Sequence, residues 1–188
     1  MRKCVTMFDR DQKTFKVIDK VAIGAEWAAN GEGIATRKWD GTCCRVEGSR
    51  LWKRYDGTKS KYLPPDFVHA DGAESHWLGW RPVGNGPEDR WHNEAWDNVG
   101  QALSDFTYEL LGPAINKNPE GMEIHTFRRH GDIVYQDTPR SFAALKEWFT
   151  EKDIEGVVFH HPDGRMVKIK LKDFGLKRLI ARCSNTVT

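Results

Sequence analysis

Alternating apolar and polar positions, separated by glycine-containing turns, occupy much of the chain and predict a strand-rich fold. The alternation predicts strands because successive side chains of a strand point to opposite faces of its sheet. The predicted strands are Ile34–Lys38, Cys43–Glu47, Arg50–Arg54, Phe106–Leu111, Met122–Phe127, Asp132–Tyr135, Ile154–His161 and Arg165–Leu171. The first three are predicted to form consecutive hairpins, turning at Asp40-Gly41 and Gly48-Ser49. Two later hairpins are predicted to turn at Arg128–Gly131 and Pro162-Asp163-Gly164.

Helices are predicted in three segments. Glu88–Leu103 has apolar residues at helical spacing, and a second helix is predicted to start with Thr138 as its N-cap, Pro139 in its first turn, and to end near Thr150. Asp173–Arg182 is predicted to form a basic helix. Residues 60–90 are rich in proline, glycine and tryptophan and predict a long ordered loop region. Antiparallel hairpins with segregated helices indicate an α+β fold, and we expect a single domain, 1–188.

Composition excludes some classes of protein without indicating an activity. Hydrophobic residues make up 39% and charged residues 30% of the chain, as in globular proteins. No apolar run approaches the ~20 residues of a membrane helix, and no apolar segment follows the N-terminal charges as in a signal peptide. No pair among the four cysteines has zinc-ligand spacing, so we expect reduced thiols in a cytoplasmic protein. We also expect a monomer that does not contact membranes.

The distribution of charge is more informative than the net charge of +2. Basic residues cluster in residues 50–61 and again in residues 165–182. Such clusters are consistent with a surface that contacts phosphate groups, and also with an exposed charged face.

Lys38-Trp39-Asp40-Gly41 places a lysine and a carboxylate two residues apart at the end of a predicted strand. That spacing puts both side chains on one face, and Gly41 permits a turn and the close approach of a ligand. A lysine amine is a good nucleophile only when neutral, a state that burial and nearby cations favour. An ordinary surface turn also explains so short a pattern.

Three further features could carry chemistry. Glu109 lies inside an apolar strand and needs a partner there; a sugar hydroxyl, a metal ion and a structural ion pair all satisfy this need. Glu155 is a polar residue at the start of an apolar strand. It is a candidate Mg²⁺ ligand, and a solvated strand end explains it equally well. Residues 166–172 alternate apolar residues with Lys168, Lys170 and Lys172, as expected for a row of cations along a triphosphate or for a solvated strand face.

In this order, the segments resemble the covalent nucleotidyltransferase superfamily of polynucleotide ligases and capping enzymes. Lys38–Gly41 matches its nucleophile motif, Lys-x-Asp-Gly, and Phe106–Leu110 resembles its third motif, with Tyr108 where many members have glycine. Glu155–Val158 matches the fourth motif, and Lys168–Lys170 matches the fifth.

A narrower resemblance covers most of the chain. KWDGTCC (38–44), LWKRYD (51–56), HWLGWRPV (76–83) and YELLGP (108–113) are similar to the small ATP-dependent 5′-to-3′ RNA ligases that also occur in vertebrates. The resemblance implies a ligase adenylation domain, related to the ATP-grasp fold, with antiparallel sheets flanked by helices. Only 18 residues follow Lys170, so we expect neither the oligonucleotide-binding barrel nor the sixth motif of DNA ligases.

The resemblance also implies a reaction. Lys38 attacks the α-phosphate of ATP to form lysyl-AMP, AMP passes to the 5′-phosphate of an RNA, and a 3′-hydroxyl end displaces AMP. The implied catalytic residues are Lys38, Asp40, Lys168 and Lys170. The implied ATP contacts are Lys38, Gly41, Arg54, Glu109, Glu155, Lys168 and Lys170. The implied ligands of Mg²⁺ or Mn²⁺ are Glu155 and Asp40, and the candidate RNA contacts are Arg54, Lys172, Lys177 and Arg178.

Some choices remain open at this stage. Tyr108, Phe127 and Trp148 are candidates to stack on adenine, although core packing is the more favoured role for each. A GTP-dependent capping-type guanylyltransferase is the nearest alternative function, and the expected lack of a barrel disfavours it. An inactive nucleotide- or RNA-binding module is the other alternative, and the intact motif residues disfavour that one.

Overall fold

The computed structural model describes residues 4–58, 62–70 and 77–178. Within these residues, backbone packing divides the chain into two compact units. Cys4 and Trp39–Asp132 form the six-stranded unit, and Val5–Lys38 with the residues from Ile133 onward form the five-stranded unit, each named after its main sheet. The single nucleotidyltransferase domain expected from the sequence stays a prediction.

Short strands dominate both units, as the alternating pattern predicted. In chain order, the strands of the described residues are β1 (Val5–Thr6), β2 (Phe8–Arg10), β3 (Val17–Val21), β4 (Ile34–Lys38), β5 (Thr42–Glu47), β6 (Arg50–Asp56), β7 (Val68–His69), β8 (Leu78–Pro82), β9 (Phe106–Leu111), β10 (Thr126–Arg129), β11 (Val134–Tyr135), β12 (Gly156–His160) and β13 (Met166–Lys170). The α-helices described are α1 (Glu26–Ala29), α2 (Arg90–Val99) and α3 (Phe142–Thr150), and 3₁₀ turns span Pro87–Asp89, Gly100–Ala102 and Leu171–Phe174. The prediction of an α+β fold built mostly from antiparallel strands is confirmed.

The six-stranded unit is an antiparallel sheet in the order β10-β9-β5-β6-β8-β7. Its apolar face packs with α2, because alternate residues of β5, β6, β9 and β10 are apolar. The buried residues of this core are Cys44, Val46, Leu51, Ala95, Tyr108, Leu110, Ile115 and Phe127. The opposite face carries the cross-strand neighbours Cys43 and Glu109. Strand alternation therefore puts the polar candidates of this unit on the face away from its core.

The five-stranded unit has the strand order β1-β13-β12-β4-β11, in which only the β1–β13 pair is parallel. One face of this sheet is buried with α3, and its core includes Ala35, Leu145, Phe149, Val157, Phe159, Val167 and Ile169. Lys168 and Lys170 alternate with Val167 and Ile169 and are only partly exposed. The predicted separation of apolar and basic faces on β13 is confirmed.

Three strand predictions are wrong, each for tertiary reasons. The hairpin predicted to turn at Asp40-Gly41 does not form, since β4 pairs with β11 and β12, whereas β5 pairs with β6 and β9. Residues 60–90 were predicted as a loop region, yet β8 pairs with β6, and β7 pairs with β8. Proline is tolerated in β8 because Pro82 is its last residue. The hairpin predicted over Arg128–Gly131 does not form, since β10 pairs with β9 in one unit and β11 pairs with β4 in the other. The predicted β12–β13 hairpin is confirmed.

Two helix predictions also need correction. The helix predicted from Thr138 begins only at Phe142, and the Thr138 hydroxyl instead donates a hydrogen bond to the Tyr135 carbonyl. In place of the basic helix predicted over Asp173–Arg182, the described residues contain a 3₁₀ turn, Leu171–Phe174, which is capped by Gly175 with a left-handed φ of 78°. The last residues of the predicted helix, 179–182, lie outside the described residues. Within the described chain, no helix is long and apolar enough to cross a membrane.

Candidate active site

A carboxylate held by two lysines is the central feature of the five-stranded unit. Lys38 Nζ donates a hydrogen bond to Glu155 Oε2 at 2.5 Å, and Lys170 Nζ donates to the other oxygen, Oε1. The side chains of Lys38, Lys170 and Glu155 are 21%, 19% and 11% exposed. The structure therefore brings together three residues that the sequence assigned to three separate motifs.

Strand pairing explains this convergence. Lys38 on β4 and Lys170 on β13 are both register partners of Gly156 on the central strand β12. The Leu171 amide donates to the Glu155 carbonyl at 3.0 Å, which continues the β12–β13 ladder by one residue. A Cβ on Gly156 would strike the carbonyl oxygen of Ile169 and lie 2.9 Å from the Lys170 Cα. Glycine at 156 thus permits the close strand approach that sets the two lysines beside Glu155.

The two lysines determine the charge state of Glu155. Burial alone raises the pKa of this carboxyl group, but the positive charges of Lys38 and Lys170 and their hydrogen bonds outweigh burial, so its pKa is lowered from the usual value. Glu155 is therefore an anion at neutral pH. Both of its oxygens are bonded to ammonium groups, so a metal ion could reach this carboxylate only by displacing a lysine. The expected role of Glu155 in binding Mg²⁺ or Mn²⁺ stays a prediction.

Lys168 lies two register positions away from this cluster along β13. It pairs across β13 and β12 with Val158, which in turn pairs with Thr36 on β4. The Thr36 hydroxyl is 2.9 Å from Nε2 of His160. Strand alternation places Lys168 on the same face as Lys170.

Asp40 and Gly41 belong to the six-stranded unit, where one loop holds them. The Asn116 side-chain amide donates to Asp40 Oδ1 and to the Gly41 carbonyl, each at 3.1 Å. The Glu120 carboxylate accepts the Asp40 backbone N–H at 3.1 Å. Sequence reasoning missed Asn116 and Glu120, because no spacing in the chain relates them to position 40.

The loop that carries Asn116 is itself firmly anchored. The Ala114 amide donates to Nε2 of the buried His125, so Nδ1 of this ring carries the hydrogen that is shared with Glu94 at 2.7 Å. Trp91 stacks on the same ring, with centroids 4.5 Å apart. Residues 116–118 all have left-handed φ angles of 48°, 66° and 55°. Such backbone is unfavourable for non-glycine residues and persists only where surrounding contacts hold it.

Glu109 is tied to the same segment. Its Oε1 accepts the Gly41 backbone N–H at 3.2 Å, and its Oε2 is 2.8 Å from Nε2 of His130. Three ligand atoms, from Cys43, Glu109 and His130, all lie within 4.8 Å of one another. Among the described residues, this is the group of side chains close enough together to hold a metal ion. No motif in the sequence pointed to His130, so its place beside Glu109 was not predicted.

Arg54 lies on β6 of the six-stranded unit. Its guanidinium group stacks on Trp80, with 4.9 Å from its central carbon to the ring centroid. Burial lowers the pKa of Arg54 from its usual value, and nearby charges, Cys43 first, act in the opposite direction. Among the described residues, no hydrogen-bond acceptor reaches its buried Nη1. An anionic or hydroxyl-rich ligand would satisfy this donor.

The other candidates have simpler surroundings. Lys172 and Lys177 are exposed, whereas Arg178 binds Asp153, with Nε 3.0 Å from Oδ1. Tyr108 and Phe127 are part of the core of the six-stranded unit, and Trp148 packs against the core of the five-stranded unit. The favoured prediction of core packing for these three aromatic residues is confirmed.

We expect Gly41→Ala to destabilise the protein by about 2 kcal/mol, because an added Cβ would strike the Leu110 carbonyl and lie 2.8 Å from Glu109 Cγ. Gly84→Ala is the matched control, since the nearest atom to its added Cβ is 3.6 Å away. Urea unfolding at neutral pH measures both effects. Equal stability of the two variants would contradict the crowding inferred at Gly41.

Comparison with known proteins identifies relatives of this chain. A family model described as RNA ligase 1 matches residues 99–185. RNA ligase 1 of Danio rerio is 33% identical, over 92% of this chain and 77% of its own length. RNA ligase 1 of Mus musculus is 25% identical, over 89% of this chain and 75% of its own length. The residues just described therefore occur in a chain that belongs to the RNA ligase 1 family.

Proposed function

We propose that this protein is an ATP-dependent RNA ligase that acts through a lysyl-AMP intermediate on Lys38. The observation that carries the proposal is the contact of Lys38 and Lys170 with Glu155. These residues occupy three motif positions of covalent nucleotidyltransferases, and the chain has relatives named RNA ligase 1. The names of the relatives support RNA as the substrate, and the motifs support ends with a 5′-phosphate and a 3′-hydroxyl.

The first step is an in-line displacement at the α-phosphorus of ATP. The Lys38 amine forms a bond from Nζ to phosphorus while the bond to the pyrophosphate oxygen breaks. Lys38 must lose a proton to react, and Glu155 Oε2, at 2.5 Å, is placed to accept it. The proton then passes from Glu155 to solvent.

The remaining lysines supply positive charge. Lys170 and Lys168 are proposed to contact the phosphates, where fixed cations stabilise the charge that develops on the leaving pyrophosphate. Asp40, held by Asn116, is proposed to orient the nucleophile segment. A bound Mg²⁺ or Mn²⁺ would neutralise phosphate charge. Asp40 and Glu155 are each proposed as a metal ligand, Glu155 once one of its lysines has left it for the phosphates.

Binding roles are proposed for the other motif residues. Glu109 is proposed to contact the ribose hydroxyls, Gly41 to let the nucleotide approach the backbone, and Arg54 to contact the ribose or the RNA end. Lys172, Lys177 and Arg178 are proposed to contact the RNA backbone. The antiparallel sheets support a nucleotidyltransferase fold, and we propose a cytoplasmic monomer.

Transfer of label from nucleotide to protein tests this function. The protein is incubated with Mg²⁺ and with ATP or GTP labelled at the α-phosphate, and acid-stable label on the protein is measured. We expect label from α-labelled ATP and none from γ-labelled ATP, because pyrophosphate leaves. Label from GTP alone would instead identify a capping-type enzyme. Absence of label despite nucleotide binding would identify an inactive module.

The substrate is tested separately with nicked duplexes that carry a 5′-phosphate at the nick. We expect the protein to seal a nick between RNA strands, with an adenylylated 5′ end as the intermediate. Preferential sealing of the matched DNA nick would contradict RNA as the substrate while leaving the lysyl-AMP step intact.

A further inference from the structure

Three side chains with different ligand chemistry converge on the polar face of the six-stranded sheet. Cys43 offers a sulfur, Glu109 a carboxylate oxygen and His130 a ring nitrogen, all within 4.8 Å of one another. We propose that Cys43, Glu109 and His130 bind one soft divalent cation of the Zn²⁺ type and leave a fourth coordination position open. Three protein ligands and an exchangeable position are an established arrangement for zinc.

Backbone pairing sets the positions of the three ligands. Cys43 on β5 and Glu109 on β9 are direct cross-strand partners. The His130 backbone N–H donates to the Thr107 carbonyl at 3.1 Å, which extends the β10–β9 ladder to this residue. Zinc distances of about 2.0–2.3 Å require ligand atoms roughly 3–4 Å apart, so small side-chain rotations close the site.

Outer hydrogen bonds already orient two of the ligands. The Thr107 hydroxyl is 3.0 Å from Nδ1 of His130, and the Gly41 backbone N–H donates to Glu109 Oε1 at 3.2 Å. A metal ion on His130 Nε2 and Glu109 Oε2 would replace the hydrogen bond between these two atoms and leave the outer bonds intact. Metal-bound histidine commonly donates its second ring nitrogen in this way.

The donor set selects the class of cation. Mg²⁺ and Ca²⁺ prefer oxygen ligands, whereas thiolate and imidazole favour Zn²⁺ and its neighbours. One thiolate and one carboxylate balance the charge of a dication. Cys44 does not compete, because it is buried in the core on the opposite face of β5.

The test of this site is independent of the proposed ligase function, because the three ligands lie within one unit and the test uses no nucleotide. If Glu109 also contacts ribose, as proposed above, the cation and the nucleotide would compete for its carboxylate. The two interactions are therefore measured separately.

Titration of untagged, metal-free protein with Co²⁺ tests the proposal. We expect one bound ion, tetrahedral visible bands and a thiolate-to-cobalt charge-transfer band, all lost when Zn²⁺ displaces Co²⁺. Cys43→Ser should remove the charge-transfer band, and His130→Ala should weaken binding. Thr107→Val should retain the charge-transfer band and weaken binding by about tenfold or more, since it removes only the outer hydrogen bond.

Cys4→Ser is the matched control, because Cys4 is a partly exposed thiol of the same unit and is not in a disulfide. It should bind Co²⁺ as the parent protein does. Circular dichroism establishes that each variant is folded. The proposal is overturned if the folded parent protein shows no charge-transfer band, if the band survives in Cys43→Ser, or if it is lost in Cys4→Ser.

Discussion

Replacement of Lys38 by alanine is expected to lower covalent labelling by ATP at least about a thousandfold, because the protein loses the amine that forms the bond to phosphorus. Lys38→Arg should fail to the same extent. Arginine keeps the positive charge beside Glu155 but stays protonated near neutral pH and cannot attack. Acid-stable label, measured over time with saturating ATP, gives the rate. The arginine variant separates loss of the nucleophile from loss of the ion pair.

Lys20→Ala is the control for Lys38. Lys20 also forms an ion pair, with Asp9 at 2.8 Å, but its side chain is 71% exposed and lies outside the matched motifs. Its labelling should equal that of the parent protein. Label that persists in both Lys38 variants would rule out Lys38 as the nucleophile, even if ligase activity were present.

Glu155→Gln is expected to destabilise the protein by about 3 kcal/mol, because it leaves two largely buried ammonium groups facing each other without their shared anion. Urea unfolding at neutral pH measures this loss. Asp163→Asn, which breaks a well-exposed pair with Arg165, is the control and should cost much less. A loss in Glu155→Gln no larger than in Asp163→Asn would contradict the stabilising role assigned to the cluster.

The same cluster predicts a dependence of stability on pH. The pKa of Glu155 is lower in the folded protein than in the unfolded chain. Its contribution is therefore fully present above the ordinary pKa of 4.5 and is lost as the pH falls through the lowered folded pKa. Glu155→Gln should lack this component, so the difference in stability between parent and variant should shrink in acid. A difference that stays constant down to acid pH would contradict this assignment.

A double-mutant cycle isolates the ion pair from other effects of substitution. Lys170→Met should destabilise the parent protein more than it destabilises Glu155→Gln, because in the variant it relieves repulsion from Lys38. Additive losses would show that Lys170 and Glu155 do not interact. Unfolding by urea, with circular dichroism as the signal, supplies all four free energies.

Local sequence patterns were sufficient to predict several strands and helices and some residues of the site. Phe106–Leu111 was predicted with the bounds that the structure has, and the hairpin around Asp163-Gly164 was also correct. The hairpin depends on contacts between residues close in sequence, and the strand on a mostly apolar run. Helix α3 was predicted too long at its start, because Thr138 forms a local hydrogen bond instead of a cap.

The sequence pattern gave wrong strand pairings where a strand pairs with a partner far away in the chain. Residues 126–135 alternate as a hairpin should, yet β10 and β11 join different sheets in different units. The strands in residues 60–90 were hidden by proline and glycine, which are unfavourable within strands in general but are accommodated at an end or an edge. Pairing across long stretches of chain depends on the complementarity of whole faces, which a local pattern does not contain.

The sequence by itself identified the candidate site residues Lys38, Glu109, Glu155 and Lys170. Their order along the chain indicated a nucleotidyltransferase. Tertiary structure alone decided that two lysines share Glu155, because β4, β12 and β13 meet in register at Gly156. It also decided that Asn116 holds Asp40 and that His130 lies beside Glu109. These contacts join residues far apart in the chain, and only the pairing and packing of strands brings such residues together.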